Sequence, residues 1–220
     1  MEQFAEYADD KIVWQGLKAG NKNCFNSLFR KYYSELYYYG IKILPQPEIV
    51  KESIQEVFMR VWETRDKLAN VENVKSYLIV SVKRMILVQK GKARDKINIE
   101  IGAAENYSFY FDVNEFEKHE EISEEVRKMI LSGINSLTRK QRELIMLYFY
   151  HELSYAEISM VLEISVQSVR NLMYRTLIHL RESLGEKSIN TMKDTVFLLF
   201  SVVSEKKPNN LITPAQISSL

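Results

Sequence analysis

Residues 137–181 read LTRKQRELIMLYFYHELSYAEISMVLEISVQSVRNLMYRTLIHLR and specify two helices joined by a tight turn. Ser154 and Glu157 have the spacing of a capping box, which predicts that a helix starts at Ser154. Ser165 is placed to cap a second helix after a turn at residues 163–165. The pattern therefore predicts a helix-turn-helix in the second half of the chain.

The second helix of this motif has one apolar and one polar face. Its apolar residues recur at steps of three and four, which defines an inward stripe. A helix of about 19 residues is about 28 Å long, so its first turns can enter a DNA major groove. Arg and Asn bond guanine and adenine edges there, and Arg175 can neutralise a phosphate; the alternative is an ordinary helical hairpin with a solvated polar face. The inward stripe is Val166, Val169, Met173, Leu177, Leu180 and Leu184, and the polar face carries Gln167, Arg170, Asn171, Tyr174 and Ile178, with Arg175 beside them.

This stretch resembles region four, the promoter-reading domain of bacterial sigma factors of the sigma-70 family, and within it the small extracytoplasmic function (ECF) group. The resemblance implies that Arg170, Asn171 and Tyr174 read the minus-thirty-five promoter element, that Gln167 also contacts DNA, and that Arg139 and Arg175 hold phosphates. It rests on Leu137 to Glu143, on Leu153 to Ile158, and on Ile164-Ser165-Val166 followed by Val169-Arg170 and Tyr174-Arg175.

Two local expectations concern the ends of helices in this domain. Thr138 and Gln141 repeat the capping-box spacing, and the cations near this helix start are expected to meet backbone phosphates. Glu163 occupies a turn position where members of the family commonly carry Gly, so the turn is expected to carry mild backbone strain. The cations near the helix start are Arg139, Lys140 and Arg142.

The first half of the chain contains three long apolar and aromatic stripes, which predict amphipathic helices packed as a small all-α bundle. A short helix around Trp14 and Leu17 precedes them, Pro45 and Pro47 stop the first long helix, and the third stripe ends before Gly91. The stripes are Phe25, Leu28, Phe29, Tyr32, Leu36, Tyr39 and Ile43; Ile54, Val57, Phe58, Val61 and Trp62; and Val74, Tyr77, Leu78, Val82, Met85 and Ile86.

The same segment resembles region two of the sigma-70 family. Residues 25–29 with Tyr32 match the opening helix of that region, and residues 52–58 with Val61-Trp62 match the helix by which family members grip core RNA polymerase. The apolar stripe leaves one side of this helix free. The resemblance implies that this side docks polymerase, and the alternative is a solvated polar face. The three residues concerned are Glu52, Gln55 and Glu56.

Residues 83–96 hold six cations against one acid. Such a run suits a phosphate backbone, because neutralising phosphates releases counterions. The resemblance implies that this run contacts the minus-ten promoter element, although Arg84 and Val88 depart from the residues that the family usually carries there. The alternative is a solvated helix end. The cations are Lys83, Arg84, Lys90, Lys92, Arg94 and Lys96.

Between the two predicted domains the helical pattern lapses, and seven acids fall within residues 112–125. This composition predicts a flexible acidic linker, whose 26 or so residues can extend to roughly 86 Å. Part of the linker is expected to pack on another surface because it contains four aromatic residues, Tyr107, Phe109, Tyr110 and Phe111. We therefore predict an all-α protein with domains at 1–96 and 123–185, a linker at 97–122 and a tail at 186–220.

The composition argues against several other classes of protein. Cys24 is the single cysteine, and the three histidines lack the spacing of metal ligands, so we expect no disulfide, no metal, no cofactor, no small-molecule substrate and no enzyme. The acidic first residues do not form a secretory signal. No apolar run reaches the roughly 20 residues of a membrane span. We expect a cytoplasmic protein whose short apolar run at 196–203 docks on the second domain, on a partner or on a membrane surface.

These observations lead to one functional prediction and two alternatives. The prediction is a sigma factor that binds core RNA polymerase and promoter DNA, with an anti-sigma factor as a further partner. The first alternative is a stand-alone helix-turn-helix regulator whose N-terminal bundle dimerises or senses a ligand. The second is an interaction protein that binds polymerase or an anti-sigma factor without opening promoters.

Overall fold

The structure is a computed structural model that describes residues 9–96, 109, 111 and 124–184; for Lys92–Lys96, Val126, Arg127 and Leu184 it describes the backbone alone. The described residues fall into two compact units, 9–96 and then 109, 111 and 124–184. Every regular element among them is helical, as predicted. The predicted tail at 186–220 lies outside the described residues.

The first unit contains four helices and one short turn. They are α1 (Asp10–Lys18), α2 (Lys22–Ile43), α3 (Pro47–Glu63), a 3-10 turn at Arg65–Lys67, and α4 (Val74–Lys96). The three predicted stripes form the core of the bundle, where most of their residues are buried. The predicted three-helix bundle with a short preceding helix is confirmed.

Two helix ends differ from the sequence prediction. Pro47 does not merely stop α2 but occupies the first turn of α3. Proline suits this position because a backbone N–H in the first turn has no acceptor within the helix, and because the fixed φ of proline matches a helix. Gly91 lies inside α4, which continues to Lys96. The apolar stripe stops near Ile86 because α4 leaves the core there, whereas the helix itself does not end.

Helix α1 is fixed to the rest of the first unit by polar contacts at both of its ends. The Trp14 Nε1–H donates to the carbonyl of Ala69 at 3.2 Å, while Lys18 donates to the Asn70 side chain at 2.6 Å. At the other end the Tyr32 hydroxyl donates to the Asp10 carboxylate. Because these partners lie on α2 and on the loop before α4, α1 is an integral part of the bundle.

The second unit contains four further helices. They are α5 (Glu124–Ser136), α6 (Arg139–Ile145), which continues as one π-helical turn at Met146–Tyr150, α7 (Tyr155–Leu162) and α8 (Val166–Leu184). The core between them holds Ile134, Leu144, Ile158, Val169 and Leu180, all of which are buried. Helices α7 and α8 form the predicted helix-turn-helix.

Two aromatic residues of the predicted linker pack within the second unit. Phe109 and Phe111 are 0% and 2% exposed, and their rings meet edge to face with centroids 6.0 Å apart. The Phe111 amide donates to Asn135 Oδ1 at 3.2 Å, and Asn135 Nδ2 donates to the Phe111 carbonyl at 2.9 Å. We call Phe109 and Phe111, held by Asn135, the aromatic anchor. It confirms that part of the linker packs on another surface.

Candidate nucleic-acid interface

Helix α7 begins as the sequence predicts. The Ser154 amide donates to the Glu157 carboxylate at 2.7 Å, and the Glu157 amide donates to the Ser154 hydroxyl at 3.3 Å. This reciprocal pair satisfies two amides that the first helical turn leaves without backbone partners. Ile158 is buried one turn later, so the cap fixes which face of α7 points into the core.

The turn between the two helices takes a left-handed conformation at one residue. Glu163 has φ 54° and ψ 46°, and its amide donates to the carbonyl of Ser159. A residue with a Cβ atom is strained in this region, which glycine adopts without cost. The expected backbone strain at Glu163 is therefore confirmed. The chain then enters α8 at Ser165, whose hydroxyl accepts the Ser168 amide at 3.0 Å, as predicted for a cap.

Helix α8 separates its residues into the two predicted faces. Val169, Met173 and Leu180 are buried, whereas Gln167, Arg170, Asn171 and Arg175 are exposed and Tyr174 is 68% exposed. Thr176 is also fully buried, and its hydroxyl donates to the carbonyl of Leu172 at 2.7 Å. Its distance of seven residues from Val169 places it on the inward stripe, so the spacing could have identified it if polar residues had been counted.

The exposed face of α8 is ordered by contacts among its own side chains. Gln167 Nε2 donates to Asn171 Oδ1 at 3.1 Å, and Arg175 Nε donates to the carbonyl of Asn171 at 3.4 Å. These contacts hold amide and guanidinium groups along one side of the first three turns. Such a row can meet base edges and phosphates together in a major groove.

Two tyrosines that the sequence analysis did not select lie close to this face. The rings of Tyr148 and Tyr155 have centroids 5.5 Å apart. Burial raises the pKa of Tyr155 above its ordinary value, Tyr148 adds to this effect, and the guanidinium of Arg170 opposes it. Arg170 is therefore in electrostatic range of Tyr155. The residues are distant in sequence, so helical spacing alone gives no signal for this neighbourhood.

The start of α6 has the predicted cap but presents fewer cations than expected. Thr138 and Gln141 form a full capping box, and Arg139 and Lys140 are exposed. Arg142, however, is only 6% exposed. Its Nη1 donates to the carbonyls of Asn135 and Leu137, each at 2.7 Å. The expectation that Arg142 meets phosphates is wrong, because its guanidinium is buried and donates to carbonyls at the junction between α5 and α6.

In the first unit, the predicted polymerase-docking residues occupy one side of α3. Glu52 is exposed, while Gln55 and Glu56 are partly exposed. Glu56 also accepts Arg60 Nε at 2.8 Å. Met59, one turn beyond Gln55, leaves 43% of its surface exposed. The structure thus brings the three predicted residues together on a mainly acidic face that has an apolar side chain at one end.

The predicted basic run lies on the last turns of α4. Arg84 is exposed, and Lys83 and Lys90 are partly exposed. Two aliphatic residues lie between Arg84 and Lys90: Leu87, which is 46% exposed, and Val88, one of the two departures from the family pattern, which is 52% exposed. Lys92 and Arg94 are also predicted to bind DNA, and the structure describes only their backbone.

Across 9–96 and 124–184 with residues 109 and 111, His, Cys, Asp and Glu form no group of three or more that is placed to hold a metal ion. Among the described helices, none combines the length and the apolar character that crossing a bilayer requires.

Comparisons with known proteins identify relatives on both units. Two family models match: Sigma-70 region 2 over residues 28–95 and Sigma-70, region 4 over residues 127–180. The chain is similar to the ECF RNA polymerase sigma-E factor of Escherichia coli (strain K12), with 24% identity over 189 residues that cover 84% of this chain and 96% of the relative. It is also similar to the ECF RNA polymerase sigma factor SigK of Mycolicibacterium vanbaalenii, with 25% identity over 155 residues, 67% of this chain and 76% of the relative.

A solved structure supports the fold. The chain resembles CnrH, whose structure was determined in complex with the cytosolic domain of CnrY, with a TM-score of 0.51 and 18% sequence identity. The match covers 80% of this chain and 96% of the other. One family model matches each compact unit, and both models describe regions of Sigma-70.

Proposed function

Because this chain belongs to the ECF group of the sigma-70 family, we propose that its two units divide promoter recognition between them. The chain is a sigma factor that directs promoter-specific transcription initiation. In this proposal residues 1–96 dock core RNA polymerase and contact the minus-ten element, 97–122 link the domains, and 123–185 read the minus-thirty-five element. No catalytic step and no cofactor is part of the role, and a cytoplasmic location follows from it.

The observation that carries this proposal is the exposed face of α8. Arg170 and Asn171 lie in its second turn, beside Gln167 and Tyr174, and all four are exposed. A helix-turn-helix reads DNA with the N-terminal residues of its second helix. Arg170 and Asn171 therefore contact base edges, Gln167 and Tyr174 extend the reading surface, and Arg175 with Arg139 holds phosphates.

In the first unit, α3 and α4 take separate roles. Glu52, Gln55 and Glu56 share an exposed side of α3, and acidic side chains suit a basic partner surface on core polymerase because complementary charges steer association. The basic residues on the last turns of α4 hold the minus-ten DNA through its phosphates. They are Lys83, Arg84 and Lys90 together with Lys92 and Arg94.

An inhibitory protein partner is part of the same proposal. CnrH, which this chain resembles in fold, was solved together with the cytosolic domain of CnrY. An anti-sigma factor that covers the α3 side would compete directly with core polymerase.

Run-off transcription with core polymerase and genomic promoter fragments tests the proposed function. We expect specific transcripts only when the chain is added. Glu52→Lys should weaken binding to core polymerase, and Glu72→Lys, an equal charge change at an exposed loop residue, should not. Operator binding without core polymerase would instead support a stand-alone regulator, and core binding without transcripts would support a protein that does not open promoters.

A further inference from the structure

Helix α4 has one side that the bundle covers at its start and that, among the described residues, lies open toward its end. Tyr77, in the first turn, packs its ring against Trp14 of α1, with centroids 5.2 Å apart. Arg84 lies on the same side two turns later and is exposed. After two further turns, a Cβ atom at Gly91 would meet no neighbouring atom within 4 Å. The last turns of α4 therefore present an open side.

Two aliphatic side chains occupy this open side. Leu87 and Val88 follow Arg84 by three and four residues, and Gly91 follows them by four and three. Such spacings place residues on one side of a helix. Leu87 is 46% exposed and Val88 is 52% exposed, whereas the preceding residue, Ile86, is fully buried. Leu87 and Val88, which we call the apolar pair, are thus not part of the bundle core.

Cations border the apolar pair and indicate what kind of molecule it meets. Arg84 precedes the pair by one turn. Lys83 and Lys90 lie along the edge next to Leu87, and both are partly exposed. An apolar protein surface docked on the pair would place its own apolar groups beside three cations, whereas a nucleic acid offers phosphates for the cations and base edges for the pair. The charge around the apolar pair therefore favours DNA.

Aliphatic side chains distinguish the four bases by a single group. They neither donate nor accept hydrogen bonds, so they cannot read the polar groups of a base edge. Thymine alone carries a methyl group on its edge, and apolar side chains contact this group. A polar group in the same place would lose its hydrogen bonds to water without gaining others. Attraction and exclusion therefore both favour thymine.

We propose that the apolar pair selects thymine within the minus-ten element by contact with the C5-methyl group of the base. This inference rests on the proposed function, which assigns the end of α4 to that element. The bordering cations hold the phosphates and carry no sequence information, so the discrimination falls to Leu87 and Val88. Val88 is one of the two departures from the family pattern, and the preference is accordingly a property of this chain.

Deoxyuridine tests the contact because it differs from thymidine only in lacking the methyl group. Holoenzyme containing the full-length chain is bound to a promoter that the wild type uses, and the thymines of the minus-ten element are replaced one at a time. At least one replacement should weaken wild-type binding about fourfold, the effect of leaving one methyl-sized group in water. The double variant Leu87→Ala, Val88→Ala should bind the thymine promoter more weakly and should no longer distinguish the two bases at that position.

Two further variants serve as controls. Ile12 is 66% exposed on α1 of the same unit, and Ile12→Ala should keep the wild-type discrimination. Arg84→Ala should weaken binding to the thymine and the deoxyuridine promoter alike, because it removes a phosphate contact. Alanine is favourable at exposed helix positions, so every variant should remain folded, and urea denaturation checks this.

The possible results separate this inference from the proposed function. Wild-type holoenzyme that binds the promoter equally well after every replacement would overturn the inference alone, and so would a double variant that still distinguishes the bases. Weaker binding of the double variant to core polymerase without DNA would also overturn it, because the apolar pair would then dock a protein. A wild-type chain that gives no promoter-dependent binding would overturn both.

Discussion

Gly40 on α2 lies directly against Val50 on α3: a Cβ atom at position 40 would approach the Val50 Cγ1 atom to 2.5 Å and the Ile86 Cδ1 atom to 3.0 Å. Both neighbours are buried, so neither side chain can turn into solvent. The absence of a side chain at Gly40 therefore allows α2 to meet α3 and α4 at close range.

Gly40→Ala should destabilise the first unit. An extra methyl group in a filled core lowers the free energy of unfolding by about 1–3 kcal/mol. The higher helix propensity of alanine offsets up to about 1 kcal/mol of this loss. We expect a net loss of about 1–2 kcal/mol in the free energy of unfolding. Urea denaturation followed by tryptophan fluorescence measures it, because Trp14 and Trp62 are the two tryptophans of the chain and both lie in the first unit.

Gly91→Ala is the matched control for Gly40→Ala. Gly91 also lies inside a helix, but a Cβ atom there would meet no atom within 4 Å. The propensity gain of up to about 1 kcal/mol should then appear without a steric cost. A stabilising effect at both positions would contradict the close approach at Gly40.

Glu163→Gly should stabilise the second unit. Glu163 has a φ of 54°, where a Cβ atom destabilises the folded state by roughly 1–2 kcal/mol. Glycine removes this strain, but the greater conformational entropy of glycine in the unfolded chain offsets part of the gain. We expect a net gain of about 0.5–1 kcal/mol. Hydrogen exchange at the α7 and α8 amides measures it. Glu182→Gly, at an exposed position within α8, should change exchange protection in the opposite direction.

The capped helix starts of the second unit and the buried faces of the helices could be predicted because they depend on residues close together in sequence. Such local patterns are the two capping boxes, at Thr138 and Ser154, and the inward stripe of α8. All three occur in the structure. The strain at Glu163 was expected for a different reason, the resemblance to a family whose members commonly carry Gly at this turn position.

Contacts between distant residues could not be predicted. Phe111 meets Asn135 across 24 positions, and no spacing rule links a linker aromatic to an asparagine at a helix end. The burial of Arg142 was missed for a related reason. A charged residue near a helix start is usually solvated, and only the fold shows that two carbonyls lie within its reach.

The stability of the first unit should fall at alkaline pH, partly because of Tyr32. Burial, together with the hydrogen bond to Asp10, raises the pKa of Tyr32 well above its ordinary value of about 10. The folded state therefore holds this proton more tightly than the unfolded state. The resulting stabilisation is complete below about pH 10 and is lost as the pH rises from there toward the folded-state pKa.

Tyr32→Phe tests this assignment. The variant lacks the hydrogen bond to a charged acceptor, so it should lose about 1.5–3 kcal/mol at neutral pH. Its stability should also fall less steeply between about pH 10 and 11. Urea midpoints by tryptophan fluorescence report both effects. Tyr37→Phe, at a partly exposed position on the same helix, should keep the steep wild-type decline, and an equally steep decline in Tyr32→Phe would refute the role of Tyr32.

Arg170→Ala should weaken promoter binding by about 1–3 kcal/mol and relax the preference at one base pair, because a guanidinium that bonds a base edge supplies both affinity and discrimination. Binding of the holoenzyme to promoters that carry each base in turn at every position of the minus-thirty-five element measures the change. Arg181→Ala is the control, since Arg181 is an exposed arginine three turns further along α8 and should leave the base preference unaltered. If Arg170→Ala instead weakened binding equally on all sequences, Arg170 would contact a phosphate, and direct reading would fall to Asn171 and Gln167.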